Sequence, residues 1–477
     1  MVKINGVARC ENAFHFRLFP LHFLLENMST ISQKISPAER LVSLFEQSRE
    51  TLNQGSSPLL NRMREVSLKR FAQAGIPDFK TEDYKYTNMK PAFEKNYKQE
   101  LVRENGVIDL NVVFSKNIPQ LDAHLVFLVN GWFYNGNNPA AALPKGVVLG
   151  SLEQIANEKP ELVQDYMNRQ AALSNDPFVA LNTAFAKDGF VLHVAKGVAL
   201  DKPIQIINLL SSDENLMAIQ RNLIVAEAAA QAKVLVCDYT FTTASFLYNS
   251  VTEVFAAEDS VVDVYTIQNQ NNQTTAINST FIKQERNSVI NTGAFSLHAG
   301  LVRNNLKIAM NGDHAEANAL GVSLTDKKQH VDNFVLINHD QPNCNSNQLF
   351  KNILDDDSTG AFAGRIHVAR DAQQTNAFQR NNNVLLSDKA RMQTKPQLII
   401  DADDVKCSHG ATVGQIDEEA LFFLRARGIG EKEARTMLMN AFAHEAIQKV
   451  SIEPLRERLS ELIEKRMSGE IAALHEY

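Results

Sequence analysis

One segment of the sequence combines side chains that could bind a metal or act as a nucleophile. It reads Asp401-Ala-Asp-Asp-Val-Lys-Cys-Ser-His-Gly-Ala-Thr412 and follows an apolar strand, Gln397-Leu-Ile-Ile400. If that strand continues, its two-residue alternation places one set of side chains on the same face: Asp401, Asp403, Val405, Cys407 and His409. Cys407 and His409 are then about 6.5–7 Å apart at Cα, close enough for both to bind one metal centre.

A thiolate and an imidazole together suit iron, zinc or an iron–sulfur cluster. Two ligands are too few, because clusters usually take about four protein ligands. A metal site here would therefore need groups from elsewhere, most economically from a second subunit. Two other interpretations stay open. Cys407 and His409 could form a nucleophile pair, in which the imidazole deprotonates the thiol. They could also be a buried cysteine and a turn histidine without chemical function.

The rest of the sequence lacks several familiar catalytic signatures. It contains no GxxxxGK[ST], GxGxxG, GxSxG or HExxH motif, which disfavours a P-loop ATPase, a dinucleotide enzyme, a nucleophile-elbow hydrolase and a zincin. The 48 Lys and Arg residues are outnumbered by 55 Asp and Glu residues, giving a formal charge of −7. This balance disfavours a protein whose main task is binding nucleic-acid backbones.

The four cysteines, Cys10, Cys237, Cys344 and Cys407, are too scattered for a disulfide framework or a paired zinc motif. We therefore expect a reducing, cytoplasmic compartment. Cys237 lies inside an apolar run, where core packing is the expected role. No apolar run reaches the roughly 18–20 residues needed to cross a bilayer. Residues 14–25 are apolar but are interrupted by Arg17 and Pro20, so a secretion signal is only a minor alternative.

Short apolar runs recur at nearly constant intervals in the middle of the 477-residue chain. The small residues that precede or begin them, Ala232, Ser260, Ser288 and Ala315, are spaced by 28, 28 and 27 residues, and a similar unit at Ser358 follows after 43. Such spacing is typical of a solenoid, in which each coil stacks only on its neighbours. The sequence predicts a parallel β-helix over about residues 180–410. A β-sandwich with similar loop lengths is the alternative.

Helical patterns occupy both sides of this β region. Ser36-Pro-Ala-Glu39 has the spacing of a capping box with proline at the first helical position. Near the other end, Asp417 can cap a helix that ends at Gly428, and another helix begins after Gly430. We divide the chain into an extension over 1–27, an N-terminal helical and mixed region over 28–177, a β-helix over 178–412 and a C-terminal helical domain over 413–477.

The first two C-terminal helices are joined by Gly428-Ile-Gly430. A helix–Gly-Ile-Gly–helix unit can offer backbone amides to a DNA phosphate. However, Glu431 and Glu433 occupy the positive end of the second helix, where that phosphate would lie. A hairpin that docks another protein is favoured because its apolar faces are large for so small a unit. The residues predicted for docking are Leu424, Gly428, Ile429, Ala434 and Leu438.

Together, these segments resemble the SufB/SufD family of the SUF iron–sulfur cluster assembly system. The most specific parts are Asp403-Asp-Val-Lys-Cys-Ser-His-Gly-Ala-Thr-Val-Gly414 and, after it, Leu421-Phe-Phe-Leu-Arg-Ala-Arg-Gly-Ile429 with Ala434. Gly75-Ile-Pro and Glu82-Asp-Tyr-Lys-Tyr-Thr87 resemble the SufD branch more than the SufB branch, with Tyr84 where tryptophan is expected. The resemblance extends from about Ser36 to the C-terminus.

The resemblance implies a mainly β fold, with a right-handed parallel β-helix core between helical ends. It also implies a scaffold subunit rather than an enzyme. Such a subunit pairs with SufB through the end of the β-helix, and its C-terminal helices bind the ATPase SufC. Cys407 and His409 would fall at the SufB junction, where a transient iron–sulfur cluster forms. Reduced flavin is associated with the assembled complex in this family, although this sequence has no flavin fingerprint.

Three alternatives to a SUF scaffold remain. The chain could be an autonomous thiol enzyme that uses Cys407 and His409, or a helix-hairpin-helix protein that binds nucleic acid. It could also be a homodimeric family member that works without SufB.

Overall fold

The computed structural model describes residues 35–103, 118, 121–134 and 143–469. The predicted extension over 1–27 and Cys10 lie outside the described residues.

The described chain begins with helices whose ends follow the sequence signals. Helix α1 is Pro37–Asn53, and its capping box is present: the Glu39 N–H donates to Ser36 Oγ, and the Ser36 N–H donates to Glu39 Oε2. Helix α2, Pro58–Ala74, ends at Gly75, whose φ of +68° favours glycine. Further short elements follow, namely the 3₁₀ turn Glu82–Tyr84 and helix α3, Lys90–Glu94.

A mixed segment leads from these helices to the β region. Its strands are β1 (Lys98–Gln99), β2 (His124–Val129), β3 (Trp132–Phe133) and β4 (Val147–Ser151). Its helices are α4 (Leu152–Glu158) and α5 (Pro177–Phe185), with 3₁₀ turns at Pro160–Leu162 and Ala171–Leu173.

Sixteen strands then form eight two-stranded coils. The strands are β5 (Phe190–Val194), β6 (Ile204–Leu210), β7 (Leu216–Ala226), β8 (Gln231–Thr240), β9 (Phe246–Ala256), β10 (Val261–Asn269), β11 (Thr275–Gln284), β12 (Val289–His298), β13 (Leu301–Met310), β14 (Glu316–Thr325), β15 (His330–His339), β16 (Asn345–Leu354), β17 (Thr359–Val368), β18 (Thr375–Leu385), β19 (Arg391–Ile400) and β20 (Val405–Gln415).

Odd-numbered strands from β5 to β19 form one sheet, and even-numbered strands from β6 to β20 form the other. Neighbours within each of these series are parallel, as in β11 with β13 and β12 with β14. One face of each strand fills the space between the sheets, where Val254, Val262 and Ile290 belong to one buried cluster. The predicted parallel β-helix between helical ends is confirmed, and the β-sandwich alternative is excluded.

The turns explain the spacing in the sequence. At one corner, six successive coils have a residue with left-handed φ, and a buried small residue follows it, as in Asp259-Ser260 and Asn287-Ser288. In the coil before Ser260, the residue at the same position is Ala230 and not the predicted Ala232. This follows from the strand register, in which Gln231 pairs with Val261. The 43-residue gap has a similar explanation: Ser358 precedes β17, which lies in the other sheet, so the gap spans about one and a half coils.

Three helices complete the chain: α6 (Glu418–Arg425), α7 (Glu431–Ile447) and α8 (Glu453–Ser468). The side chain of Asp417 caps α6 by accepting from the Ala420 N–H. Leu455 and Leu459 of α8 belong to a buried cluster that includes Tyr265 on the outer face of the even-numbered sheet. None of the helices in the described ranges is long and apolar enough to cross a membrane.

Candidate functional site

The last coil of the β-helix is open. Strands β19 and β20 end their sheets, so each has one long edge without a neighbouring strand among the described residues. Backbone donors and acceptors along such edges are available to another chain. Apolar side chains are exposed at the same end, including Ile399, Ile400 and Val413, the last of which is 45% exposed. This end of the solenoid therefore has the features of an interaction surface.

Cys407 and His409 both lie on β20, at this open end. In the strand register, Cys407 on β20 lies beside Ala377 on β18. The same row of side chains continues to Ala317 on β14, which is buried between the two sheets. His409 is two residues further along the strand and pairs with Gln379. Both side chains therefore belong to the inward-facing row of the last coil, as alternation along one strand requires.

The acidic residues before them do not share that face, contrary to the expectation from a continuing strand. Strand β19 ends at Ile400, and residues 401–404 form the corner to β20. The Asp401 N–H donates to Val368 O, and Asp404 O accepts from the Gln374 N–H. These bonds hold the corner against the previous coil. Asp401 instead lies 3.5 Å from His367 Nε2.

His409 is exposed because no further coil covers β20 in the described part of the chain. Gln379 and Gln348, its equivalents in the two previous coils, are buried, and Gln379 Nε2 donates to Gln348 Oε1 at 2.9 Å. His409 continues this polar column but is exposed. No hydrogen bond or ion pair of His409 is found with the described residues. Its imidazole is therefore available to a ligand or partner that covers the end.

Cys407 is half-buried beside Leu398 and Ala402. Burial raises the pKa of its thiol, and a hydrogen bond with the Ala377 backbone opposes that rise. Reactive cysteines usually have a lowered pKa, because the thiolate is the nucleophile. In the described part of the chain, no hydrogen bond joins Cys407 to His409. This environment does not favour an autonomous thiol enzyme, whereas a bound metal would itself favour the thiolate.

Cys407 and His409 alone would make only part of a metal site. Within the described ranges, no group of three His, Cys, Asp or Glu side chains could hold a metal ion. Cys407 and His409 offer one sulfur and one nitrogen donor, and clusters usually need about four protein ligands. The donor types fit iron or an iron–sulfur cluster, but the remaining ligands must come from outside the described chain.

The C-terminal hairpin is a second candidate surface. Helix α6 ends with Gly428 at a φ of +87° and with the Ile429 N–H donating to Leu424 O, the pattern of a Schellman ending. Gly428 is exposed, whereas Leu424 and Ile429 are half-buried. On α7, Leu438 is half-buried and Ala434 is fully buried. Ala434 therefore packs inside the hairpin.

The largest exposed apolar groups of the hairpin lie beside the predicted docking residues. Phe422 is 75% exposed and Phe423 is 54% exposed, and Met437 is also exposed. Neighbouring side chains on a helix point about 100° apart, so a helix with one narrow buried face exposes at least one of two consecutive phenylalanines. This pair was therefore a usable sequence signal. The Arg427 guanidinium lies over the Phe423 ring, 3.4 Å from its centroid.

Nucleic-acid binding by the hairpin receives no support from its charges. Glu431 lies 3.4 Å from both Arg425 and Arg435. The carboxylate therefore occupies the start of α7 and pairs with two of the arginines that could otherwise contact phosphate.

Helix α7 packs against the outer face of the even-numbered sheet, and one carboxylate adds two ion pairs to this contact. Glu445 pairs with Lys351 on β16 and with Arg380 on β18, at 2.5 and 2.7 Å. The Lys351 ammonium also lies over the Phe442 ring, 4.3 Å from its centroid. Because β18 is the neighbour of β20, the hairpin is tied to the coil that precedes Cys407 and His409.

Comparisons with known proteins agree with these features. Residues 209–442 match the family model described as SUF system FeS cluster assembly, SufBD core domain, and residues 35–206 match the SufBD protein N-terminal region. An iron–sulfur cluster assembly SufBD family protein of Synechocystis sp. is 29% identical over 425 residues, covering 87% of this chain and 90% of that protein.

Two further relatives extend the comparison. The iron–sulfur cluster assembly protein SufD of Escherichia coli is 39% identical over 176 residues, which covers 37% of this chain and 42% of that protein. Protein ABCI7, chloroplastic, of Arabidopsis thaliana is 26% identical over 416 residues, with 84% and 85% of the two chains covered.

Proposed function

Because the chain belongs to the SufBD family of SUF iron–sulfur cluster assembly proteins, we propose that it is a non-catalytic scaffold subunit that pairs with SufB in the cytoplasm. The iron–sulfur cluster is the cargo of this scaffold. Cys407 and His409 contribute two ligands to a site that SufB completes. The observation that carries the proposal is the open last coil, which exposes His409 in a position that is buried in the two preceding coils.

The edge strands support pairing through this end. Strands β19 and β20 contain 10 and 11 residues, so a partner strand could add to either sheet by backbone hydrogen bonds. Exposed Ile399 and Val413 would be buried by the same contact. Binding there would also bring the partner's side chains next to Cys407 and His409.

Hydrogen–deuterium exchange tests this contact. The purified chain is mixed with SufB, and exchange is followed in β20 and, as an internal control, in β12 at the centre of the solenoid. We expect slower exchange in β20 on SufB addition and no change in β12. A stable heterodimer in which β20 exchanges as in the free chain would refute the proposed interface. Protection of β20 in the pure chain at high concentration would instead favour a homodimer.

We propose further that the C-terminal hairpin binds SufC. Phe422, Phe423 and Met437 provide the exposed apolar groups, while Leu424, Gly428, Ile429, Ala434 and Leu438 shape the hairpin that presents them. Through Glu445, movement of the hairpin would act on β16 and β18. ATP-driven movement of SufC would thus reach the coil next to the shared site.

Replacing both aromatic residues tests the hairpin contact. The variant Phe422→Ser/Phe423→Ser should lose SufC binding in co-purification and retain SufB binding. Val66→Ser is the matched control, because Val66 is an exposed apolar residue on α2. Normal SufC binding by the double variant would require another docking surface.

A further inference from the structure

A surface notch of about 840 Å³ lies at one corner of the solenoid, where the strands of the even-numbered sheet turn into those of the odd-numbered sheet. Its size is within the usual range of about 300–1,000 Å³ for small-molecule sites. The notch is lined by residues of five successive turns and by Lys95, which follows α3. Cys407 and His409 do not line it.

The notch exists because one turn is shorter than its neighbours. Residues 299–300 are the only two between β12 and β13, whereas the turns on either side have five residues, 270–274, and four residues, 326–329. The short turn forms the floor, and the longer turns form the walls. A Cβ on Gly300 would lie 2.3 Å from Asn272 O. Only glycine at position 300 therefore allows the turn 270–274 to approach the short turn this closely.

A hydrogen-bonded side chain spans the floor. The buried Gln329 donates through Nε2 to Asn272 Oδ1 at 2.6 Å, across the short turn. Its Oε1 accepts from Arg466 of α8 at 3.2 Å. Arg466 also pairs with Asp326 at 2.7 Å. The notch is therefore a fixed concave surface that is connected to the last helix.

The charge in the notch is positive. Four lysines line it, and two carboxylates offset part of their charge. One carboxylate, Asp357, lies 3.4 Å from Lys389, and the other, Asp356, accepts from the Lys327 N–H. Among the residues that the structure describes, neither Lys95 nor Lys328 has an ion-pair partner.

The donors in the notch match one ligand chemistry. Lysine ammonium groups act as point charges that suit phosphate, whereas bidentate recognition of carboxylates usually uses arginine. No arginine lines the notch, and the side-chain amides of Asn272 and Gln273 add neutral donors. We infer that this notch binds a small anion carrying one or more phosphate groups, either a free polyphosphate or a nucleotide.

Binding of inorganic pyrophosphate and ADP to the isolated full chain tests this inference. Isothermal titration calorimetry would compare the wild type with Lys95→Glu/Lys328→Glu. Both lysines are exposed, so the variant should fold normally, and circular dichroism would check this. We expect saturable binding to the wild type, weakened at least about tenfold in the variant and weakened by added salt. The charge-matched control is Lys69→Glu/Lys233→Glu, because both lysines are exposed, on α2 and β8, and neither lines the notch.

The two probes also separate the sources of phosphate. Tighter binding of ADP than of pyrophosphate would identify a nucleotide site, and equal or weaker binding would identify a polyphosphate site. Absence of saturable binding of both probes, or equal affinities in the wild type and the double lysine variant, would overturn the inference. The isolated chain is sufficient, so the result does not depend on pairing with SufB.

Discussion

The two ends of the β-helix are built differently. At the first end, β4 pairs with β5 and β2 pairs with β6. At the last end, β19 and β20 have no further neighbour among the described strands. Segments of this chain therefore cover the first end, whereas no described strand covers the last end. A solenoid needs some cover at each end, because each coil otherwise exposes backbone groups and core.

Buried polar groups show the same difference. Near the closed end, Asp188 is buried and accepts from Arg103 and Ser151 at 2.8 Å and from the Phe133 and Glu153 N–H groups at 2.9 and 3.1 Å. Burial raises the pKa of Asp188, and these contacts oppose the rise. The closed end therefore satisfies the polar groups of Asp188 internally, whereas His409 at the open end is exposed and has no hydrogen-bond partner among the described residues.

Among the substitutions considered, removal of the Asp188 carboxylate should cause the largest loss of folding stability. Asp188→Ala leaves the Ser151 hydroxyl and two backbone N–H groups without their acceptor and removes one of the two carboxylate partners of Arg103. We expect a loss of about 3–5 kcal/mol in the free energy of unfolding. His409→Ala, at the open end, should change it by less than about 0.5 kcal/mol. Urea denaturation measures both. Equal losses would remove the distinction between the ends.

Asp238 gives the closed interior a pH dependence. It is buried between the sheets, accepts from Asn208 at 2.9 Å, and has a pKa that burial raises to about 7. The unfolded carboxyl ionises near pH 4, so the folded state binds more protons between these values and stability falls as pH rises. We expect a loss of about 2–3 kcal/mol between pH 5 and pH 7.

Asp238→Asn should abolish this loss while retaining a side chain of the same shape. Urea denaturation of both proteins at pH 5, 6 and 7 measures it. An identical pH dependence in the two proteins would show that Asp238 is already ionised in the folded interior.

At the open end, a charge should affect association rather than folding. Val413 is exposed on β20, so Val413→Lys should leave the unfolding free energy almost unchanged but weaken SufB binding at least about tenfold, because the ammonium loses water in the contact. Val66→Lys on α2 is the control. Calorimetric titration with SufB measures the effect, and unchanged affinity would place the interface elsewhere.

The smallest effect is expected at the link between hairpin and solenoid. Hydrogen bonding to Lys351 lowers the pKa of Glu445, so its stabilising contribution is present above the unfolded pKa and is lost as the pH falls through the lower folded value. Because Glu445 is partly exposed, Glu445→Gln should cost less than about 1 kcal/mol at pH 7. Hydrogen exchange should be faster in α7 and unchanged in β12. Equal exchange in α7 of both proteins would show that this link is dispensable.

Local signals predicted much of the fold. The capping box at Ser36 and the cap at Asp417 were predicted from short patterns and are confirmed. The repeat spacing predicted the β-helix because six successive coils use the same corner geometry. The segment Glu82–Thr87, which carries part of the family resemblance, packs into the fold: Tyr84 is buried, with its hydroxyl donating to Asp176.

Features that depend on tertiary structure were harder to predict. An apolar strand followed by alternating acidic residues gives no sign that the chain turns a corner at Asp401. The predicted boundary at residue 412 placed His409 near the end of the β-helix, but the sequence does not show that its side chain continues a row in which Gln379 is buried. The notch depends on turn lengths in neighbouring coils, which become meaningful only when the strand register is known.

The central claim is that this chain supplies two ligands to a site completed by SufB. Its most direct test is anaerobic iron and sulfide analysis of the complex co-purified with SufB and SufC, containing either the wild-type chain or Cys407→Ser/His409→Ala. We predict that both complexes assemble equally and that the variant complex loses most of its bound iron and sulfide. Equal iron and sulfide in the two complexes would contradict the claim.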